Sequence, residues 1–296
     1  MLSGIYSAMV TPFAADGEIN EPALRAFIDQ GIADGLAGVV VNGGTGEFAT
    51  LTNAERRRVL EVTADQAAGR FAVIAQTGAT STREAIELSQ HAEAHGAIAL
   101  MLATPYYEPL TFDNVLPYFI DVAKSTSLPI IAYNFAPAMN FDWNVDNLNA
   151  LLAAVPSVRY LKDSSGATEL TVAFRDSDRI QVFNGEDTLV GETLLAGSTG
   201  AITGAANVAG PGLVKMHEAA RAGDDDTVRN LASTLAPLFD SFAAGPYNGK
   251  IKAVQRILGR DLGETRAPYH MPDAQQIAEL EAIVANIDPA LLTARA

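Results

Sequence analysis

The chain has no cysteine, which excludes disulfides, thiolate metal sites and a cysteine nucleophile. Histidine occurs four times and tryptophan once. Basic residues are scarce too: 20 Lys and Arg against 35 Asp and Glu leave a formal net charge of −15. Such a balance offers no electrostatic footprint for nucleic acid or an acidic membrane surface. No uninterrupted apolar run approaches membrane length. The start, Met1-Leu2-Ser3-Gly4-Ile5, has no basic region leading into an apolar one. A soluble, acidic, cytoplasmic protein is the expectation.

What the 296 residues do have is alternation. Short apolar runs read as strands at Ile5–Val10, Gly38–Val41, Phe71–Gln76, Ala97–Ala103, Pro129–Tyr133, Val158–Leu161, Ile180–Phe183 and Gly200–Ile202. Between them the spacing predicts helices over Pro22–Ala33, Asn53–Gly69, Ser81–His95, Phe112–Ser125, Val145–Ala154 and Thr188–Ala196, with a weak one after the sixth strand. Near-continuous apolar strands mean a parallel sheet buried on both faces. No motif recurs from unit to unit, so the period of roughly thirty residues, one strand–helix unit, argues for a closed (β/α)8 TIM barrel rather than a solenoid. Further helices are expected over Leu213–Ala222, Asp226–Ala243, Lys250–Leu258 and Ala274–Ala285. Residues 1–210 are therefore assigned to the barrel and 211–296 to a C-terminal helical region packed on it, without a second independent domain.

Chemistry in such barrels gathers at the C-terminal ends of the strands. Lys162 stands there, in Arg159-Tyr160-Leu161-Lys162-Asp163-Ser164-Ser165-Gly166. Burial disfavours the charged form of an amine, and the neutral amine is the nucleophile toward carbonyls. The ordinary alternative is a lysine that pairs with Asp163 or points into water. On the same rim lie the turn Asn42-Gly43-Gly44-Thr45-Gly46-Glu47, the segment Thr104-Pro105-Tyr106-Tyr107 and the pair Tyr133-Asn134. A Gly-rich turn lets backbone amides form a nest for a carboxylate. Lysine, tyrosines and turn together suit a 2-keto acid: the amine attacks the ketone, a tyrosine shuttles protons and the turn holds the carboxylate.

In order and at matching spacing, Met9-Val10-Thr11-Pro12-Phe13, Gly43-Gly44-Thr45-Gly46-Glu47, Thr104-Pro105-Tyr106-Tyr107, Tyr133-Asn134 and Lys162-Asp163 resemble the dihydrodipicolinate synthase / N-acetylneuraminate lyase superfamily, the class I pyruvate-dependent aldolases. The likeness runs from about Gly4 to Pro268. It implies a pyruvate Schiff base on Lys162, Tyr133 as proton donor and acceptor, and carboxylate binding at Gly44 and Thr45. It also implies a homotetramer, a dimer of dimers, in which Tyr107 reaches a neighbour's site. The run Thr199-Gly200-Ala201-Ile202-Thr203-Gly204 resembles the family's loop behind the Schiff base.

Two departures bear on substrate. Gly44 stands where the family carries a hydroxyl that links two tyrosines in a proton relay. Ala138 stands where the synthases carry an arginine for the carboxylate of aspartate semialdehyde, and no Arg or Lys occurs between Lys124 and Arg159. A lost charge-assisted contact of that kind costs about 1.5–3 kcal/mol. The resulting expectation is an enzyme: a Schiff-base lyase or aldolase cleaving a 2-keto-3-deoxy sugar acid to pyruvate and an aldehyde, with Asn140, Asp187 and Thr203 available to substrate hydroxyls. Its rivals are a dehydratase on the same imine, the 4-hydroxy-tetrahydrodipicolinate synthase itself, and a catalytically silent ligand-binding barrel.

No cofactor and no metal are expected. None of His91, His95, His217 and His270 falls at a predicted strand end. His91 and His95 are four apart, a spacing that can place two ligands on one helix face, but that helix lies outside the barrel and the sequence shows no third ligand beside them.

Overall fold

A computed structural model describes residues 1–294. Its eight strands are β1 Gly4–Ala8, β2 Gly38–Val41, β3 Ala72–Gln76, β4 Ala99–Ala103, β5 Ile130–Asn134, β6 Val158–Asp163, β7 Gln181–Asn184 and β8 Gly200–Thr203. All pair in parallel with their sequence neighbours, and β1 with β8 (Gly4 opposite Gly200, Ser7 opposite Thr203) closes the barrel. Alternation along each strand divides the side chains between two cores. Tyr6, Val40, Ile74, Met101, Ile131, Tyr160, Phe183 and Ile202 fill the interior. Ile5, Val39, Val41, Val73 and Leu100 face the surrounding helices.

Those helices are α1 Glu21–Ala33, α2 Asn53–Ala67, α3 Thr82–Ala94, α4 Phe112–Lys124, a four-residue α5 Ala136–Met139, α6 Val145–Ala154, α7 Glu169–Phe174, α8 Val190–Ala196 and α9 Ala206–Ala222. Thr52 begins α2 with a reciprocal cap, its hydroxyl accepting the Glu55 N–H at 3.2 Å while its own N–H reaches Glu55 Oε2 at 2.8 Å. Beyond α9 follow α10 Asp225–Ala243, α11 Tyr247–Ile257 and α12 Ala274–Ala285. Leu235, Phe242, Ile251, Val254 and Leu280 of these helices share one apolar cluster with Met9, Val10 and Phe13 of the barrel. The boundary expected at residue 210 falls within α9, between the non-helical Ala209 and Pro211.

Most expected boundaries lie within two residues of those observed. Four differences are notable, the first being α11, which starts at Tyr247, three residues before the expected Lys250. Strand β6 continues through Lys162 and Asp163, because its ladder with β5 and β7 does not stop where the apolar residues do. Helix α9 starts seven residues before the expected Leu213, since a buried Asn207 holds its first turn by donating to Ala8 O and Gly204 O. Helix α5 was not foreseen; Pro137 in its first turn favours a helix start. Among the described residues no helix is long and apolar enough to cross a membrane.

Candidate active site

A cavity of about 650 Å³ opens at the C-terminal end of the barrel. Lys162 projects into it from β6, with Tyr133 of β5 and Phe183 of β7 opposite in register. Its Nζ lies 4.3 Å from the centroid of the Tyr133 ring, and the residue is only 6% exposed. Space for this side chain depends on Gly185. A Cβ there would stand 2.8 Å from Lys162 Cε and 2.1 Å from Ser164 Oγ.

Asp163 is not the lysine's partner. Strand alternation sends it to the other face, where it accepts from Asn134 Nδ2 at 2.9 Å and from the Ser165 N–H at 3.1 Å. Burial pushes its carboxyl above the ordinary range. Asn134 in turn accepts the Trp143 N–H at 3.2 Å. The second residue of each motif pair, Asn134 and Asp163, thus braces the strand ends from behind while Tyr133 and Lys162 face the cavity.

The turn after β2 supplies Gly44 and Thr45 to the cavity wall. A Cβ on Gly44 would meet nothing within 4 Å, so the missing hydroxyl is not forced by space. Glu47, which ends the turn, is left-handed (φ 58°) and turns its carboxylate inward. Oε1 sits 2.8 Å from Lys252 Nζ of α11, with both side chains fully buried, and Oε2 accepts the Arg266 N–H at 2.9 Å. Lys252 also donates to Glu264 O at 3.0 Å and lies 4.3 Å from the Phe13 ring centroid. Asn248 Nδ2 donates to Gly44 O at 3.2 Å. Turn and C-terminal helices are thereby one unit.

Asp187 also lines the cavity and is 5% exposed. Burial raises its carboxyl to about 6, against the lowering effect of its partners. Those partners are the Tyr247 hydroxyl, which donates to Oδ2 at 2.7 Å, and the Ala205 N–H, which donates to Oδ1 at 3.1 Å. The Tyr247 ring passes over Gly204, where a Cβ would lie 2.1 Å from the hydroxyl. Asp187 therefore comes to the cavity already engaged on both oxygens, and the Tyr247 hydroxyl stands beside it.

Of the residues singled out from sequence, Lys162, Tyr133, Gly44, Thr45 and Asp187 meet around this cavity. The others do not line it within one chain. Thr203 is buried on the outer face of β8, alternate to the interior-facing Ile202. Ala138 and Asn140 lie exposed at α5, and Asn140 Nδ2 is 3.5 Å from Tyr106 O. Tyr107 is 80% exposed. Sequence reading missed the wall built by the C-terminal region: Pro246, Tyr247, Asn248, Tyr269 and His270. The polar, Gly- and Pro-bearing run Gly245-Pro246-Tyr247-Asn248-Gly249 was the one available signal, since loops of that composition often carry function.

The rim holds no Arg among its described lining residues, and its only Lys is Lys162. Glu186 and Asp187 add acid to the lining.

The Dihydrodipicolinate synthetase family model matches residues 1–287. The chain is 38% identical to the 4-hydroxy-tetrahydrodipicolinate synthase of Acidiphilium cryptum over 262 residues, covering 88% of this chain and 89% of the relative. It is 32% identical to the Acidobacterium capsulatum protein of the same name over 289 residues, 97% of this chain and 96% of that one. Among solved structures, a dihydrodipicolinate synthase from Acinetobacter baumannii in complex with pyruvate superposes with a TM-score of 0.92 at 29% identity, covering 97% of this chain and 99% of that one. A prophage protein of the dihydrodipicolinic acid synthase family from E. coli K12, also in complex with pyruvate, gives 0.92 at 29% identity, with 96% and 98% covered. The chain belongs to the dihydrodipicolinate synthetase family and is a class I, lysine Schiff-base lyase.

Proposed function

We propose that the protein forms a Schiff base between Lys162 and pyruvate and joins or releases an uncharged hydroxyaldehyde at the enamine carbon. Read in the cleavage direction, the lysine amine adds to C2 of a 2-keto-3-deoxy acid and water leaves, giving an iminium. That iminium takes up the electron pair of the C3–C4 bond as it breaks, the C4 hydroxyl proton departs and the aldehyde is released. The enamine is protonated at C3, and hydrolysis returns pyruvate and the free amine. Tyr133, beside Nζ, is the proton donor and acceptor, and the amides at Gly44 and Thr45 hold the carboxylate. Gly44 lacks the family's hydroxyl, so Thr45 or water carries the proton beyond Tyr133.

The observation that carries the choice of aldehyde is the charge of the cavity lining. Beside Lys162 it offers Glu186, Tyr247, Asn248 and His270 but no guanidinium, and Ala138 takes the place where the synthases are expected to carry one. A substrate with a second carboxylate would be desolvated there without a charged partner.

The names of the relatives favour a second reading, condensation with aspartate semialdehyde, and support it better than they support a sugar acid. A side-by-side kcat/KM for pyruvate with aspartate semialdehyde and with glyceraldehyde separates the two. We expect glyceraldehyde to win, and Ala138→Arg to move the ratio toward the semialdehyde by roughly 10–100-fold, the worth of one charge-assisted contact. A wild type that prefers the semialdehyde restores the synthase reading. The Schiff base itself is tested separately. Borohydride in the presence of pyruvate should add one pyruvate-derived mass to the wild type and none to Lys162→Ala. We further propose a tetramer in which the exposed Tyr107 completes a neighbour's site; a monomer that is active at nanomolar concentration contradicts this.

A further inference from the structure

Outside the barrel, helices α2 and α3, which contribute no residue to the cavity lining, bring three ligand-type side chains together. His91 on α3 has Nε2 3.0 Å from Glu61 Oε1 on α2. One turn on, at the C-cap of α3, the His95 ring stacks on His91 with centroids 4.0 Å apart and planes 22° apart. One ligand atom from each of Glu61, His91 and His95 lies within 4.8 Å of the others. Glu61 is the third ligand that the sequence did not reveal, because it stands thirty residues from His91 on the neighbouring helix.

We propose that Glu61, His91 and His95 form a binding site for a divalent transition cation of the zinc and nickel class. Two imidazole nitrogens with one carboxylate oxygen suit such ions and do not suit magnesium or calcium, which prefer all-oxygen shells. The tautomer is already set for it. His95 Nδ1 is 2.8 Å from the carbonyl oxygen of His91. A carbonyl only accepts, so Nδ1 carries the proton and the lone pair sits on Nε2. A backbone carbonyl orienting one ring nitrogen while the other ligates is the usual support for a metal-bound histidine.

Tetrahedral ligands at about 2.0–2.1 Å from zinc stand roughly 3.4 Å from each other. The His91–Glu61 pair at 3.0 Å needs only a small widening, whereas the exposed His95 ring, now stacked on His91 with its ligand atom within 4.8 Å of the others, has to turn out of the stack to join them. Solvent supplies the remaining coordination. The second Glu61 oxygen is 3.4 Å from Arg58 Nη1, and Arg58 is itself held by Glu21 at 2.6 Å. The carboxylate is thus fixed without being fully neutralised. A bound ion would tie α2 to α3 on the barrel's outer layer and leave the lysine chemistry untouched.

The test uses the full chain, stripped with chelator and titrated with zinc chloride by calorimetry, alongside thermal denaturation. One equivalent should bind to the wild type and raise Tm, while magnesium does neither. Glu61→Gln, His91→Ala and His95→Ala should each weaken zinc binding at least tenfold and abolish the rise in Tm. His95 is exposed, so its replacement keeps the fold, and His270→Ala, in the cavity wall, should bind zinc as the wild type does. The stripped protein should retain full turnover. Absence of zinc binding below about 100 µM, or a one-equivalent site that survives His95→Ala, overturns the proposal.

Discussion

Replacing Glu47 by Gln should destabilise the protein more than almost any other single polar change. Its carboxylate is 2.8 Å from the Lys252 ammonium and both side chains are wholly buried. Removing one member strands a charge where water cannot reach it, which costs about 3–5 kcal/mol. That is a fifth or more of a typical folding free energy of about 5–15 kcal/mol, equivalent to a loss of roughly 6–20 °C in Tm.

The pH dependence separates a stranded charge from mere loss of packing. Burial already draws the Lys252 amine below its ordinary value, with Glu47 pulling it back up. Without Glu47 the folded state sheds a proton that the unfolded chain keeps up to a pKa of about 10.4. The unfolded state then binds more protons, so stability rises with pH. The deficit of the Gln variant should be full near neutrality and shrink toward pH 10. Urea denaturation at pH 7, 8.5 and 9.5 measures this, and the double change Glu47→Gln/Lys252→Met should recover most of what either single change loses. A loss below about 1 kcal/mol that is flat across this pH range would refute the reasoning. Because the same carboxylate ends the Gly44–Thr45 turn, KM for pyruvate should rise in the single variant at temperatures where it remains folded.

Three further outcomes are expected. Tyr133→Phe should still be trapped on pyruvate by borohydride but lose about 10²–10⁴-fold in kcat, the usual worth of positioned acid–base help; near-normal kcat would move that role elsewhere. Asp187, raised from 3.8 to about 6 by burial, holds a proton in the folded state that the unfolded chain has released. Its contribution is therefore present near pH 4 and lost as pH rises through 6, by about 3 kcal/mol at most, so Asp187→Asn should be the more stable protein in urea at pH 8 and no better than wild type at pH 4. Gly44→Thr should leave Tm within about 1 °C, since the space beside Gly44 is open, and a gain in kcat in that variant would show that the hydroxyl relay is useful to this enzyme.

The barrel was legible because its strands are apolar on both faces and its helices carry caps. Those are local signals, read one segment at a time. Lys162, Tyr133 and the Gly44–Thr45 turn were legible because strand ends mark themselves by a change from apolar to polar residues. What escaped the sequence was placement that depends on distant packing. Tyr247 enters the site only because α11 folds back over β8, and nothing near residue 247 states that it will meet Asp187. Thr203 was misplaced by one step of strand alternation, which sends a side chain to the opposite face. Glu47 read as part of a ligand-binding motif, but its buried pairing with Lys252 assigns it to architecture. Glu61 beside His91 belongs with these, since sequence distance hid a contact between neighbouring helices.

The wall contributed by Pro246 to His270 has a consequence for the order in which the enzyme matures on the ribosome. Strand β8 completes the barrel's edge-to-edge pairing at Thr203, yet the last cavity residue is His270. At about 5–20 residues per second, the intervening 67 residues take roughly 3–13 s to synthesise. During that interval a nascent chain can own its lysine, its tyrosine and its turn without owning an enclosed site. Glu47 waits, partnerless, for Lys252 over most of the same span. Activity thus arrives late in translation, only once the segment through His270 has been made.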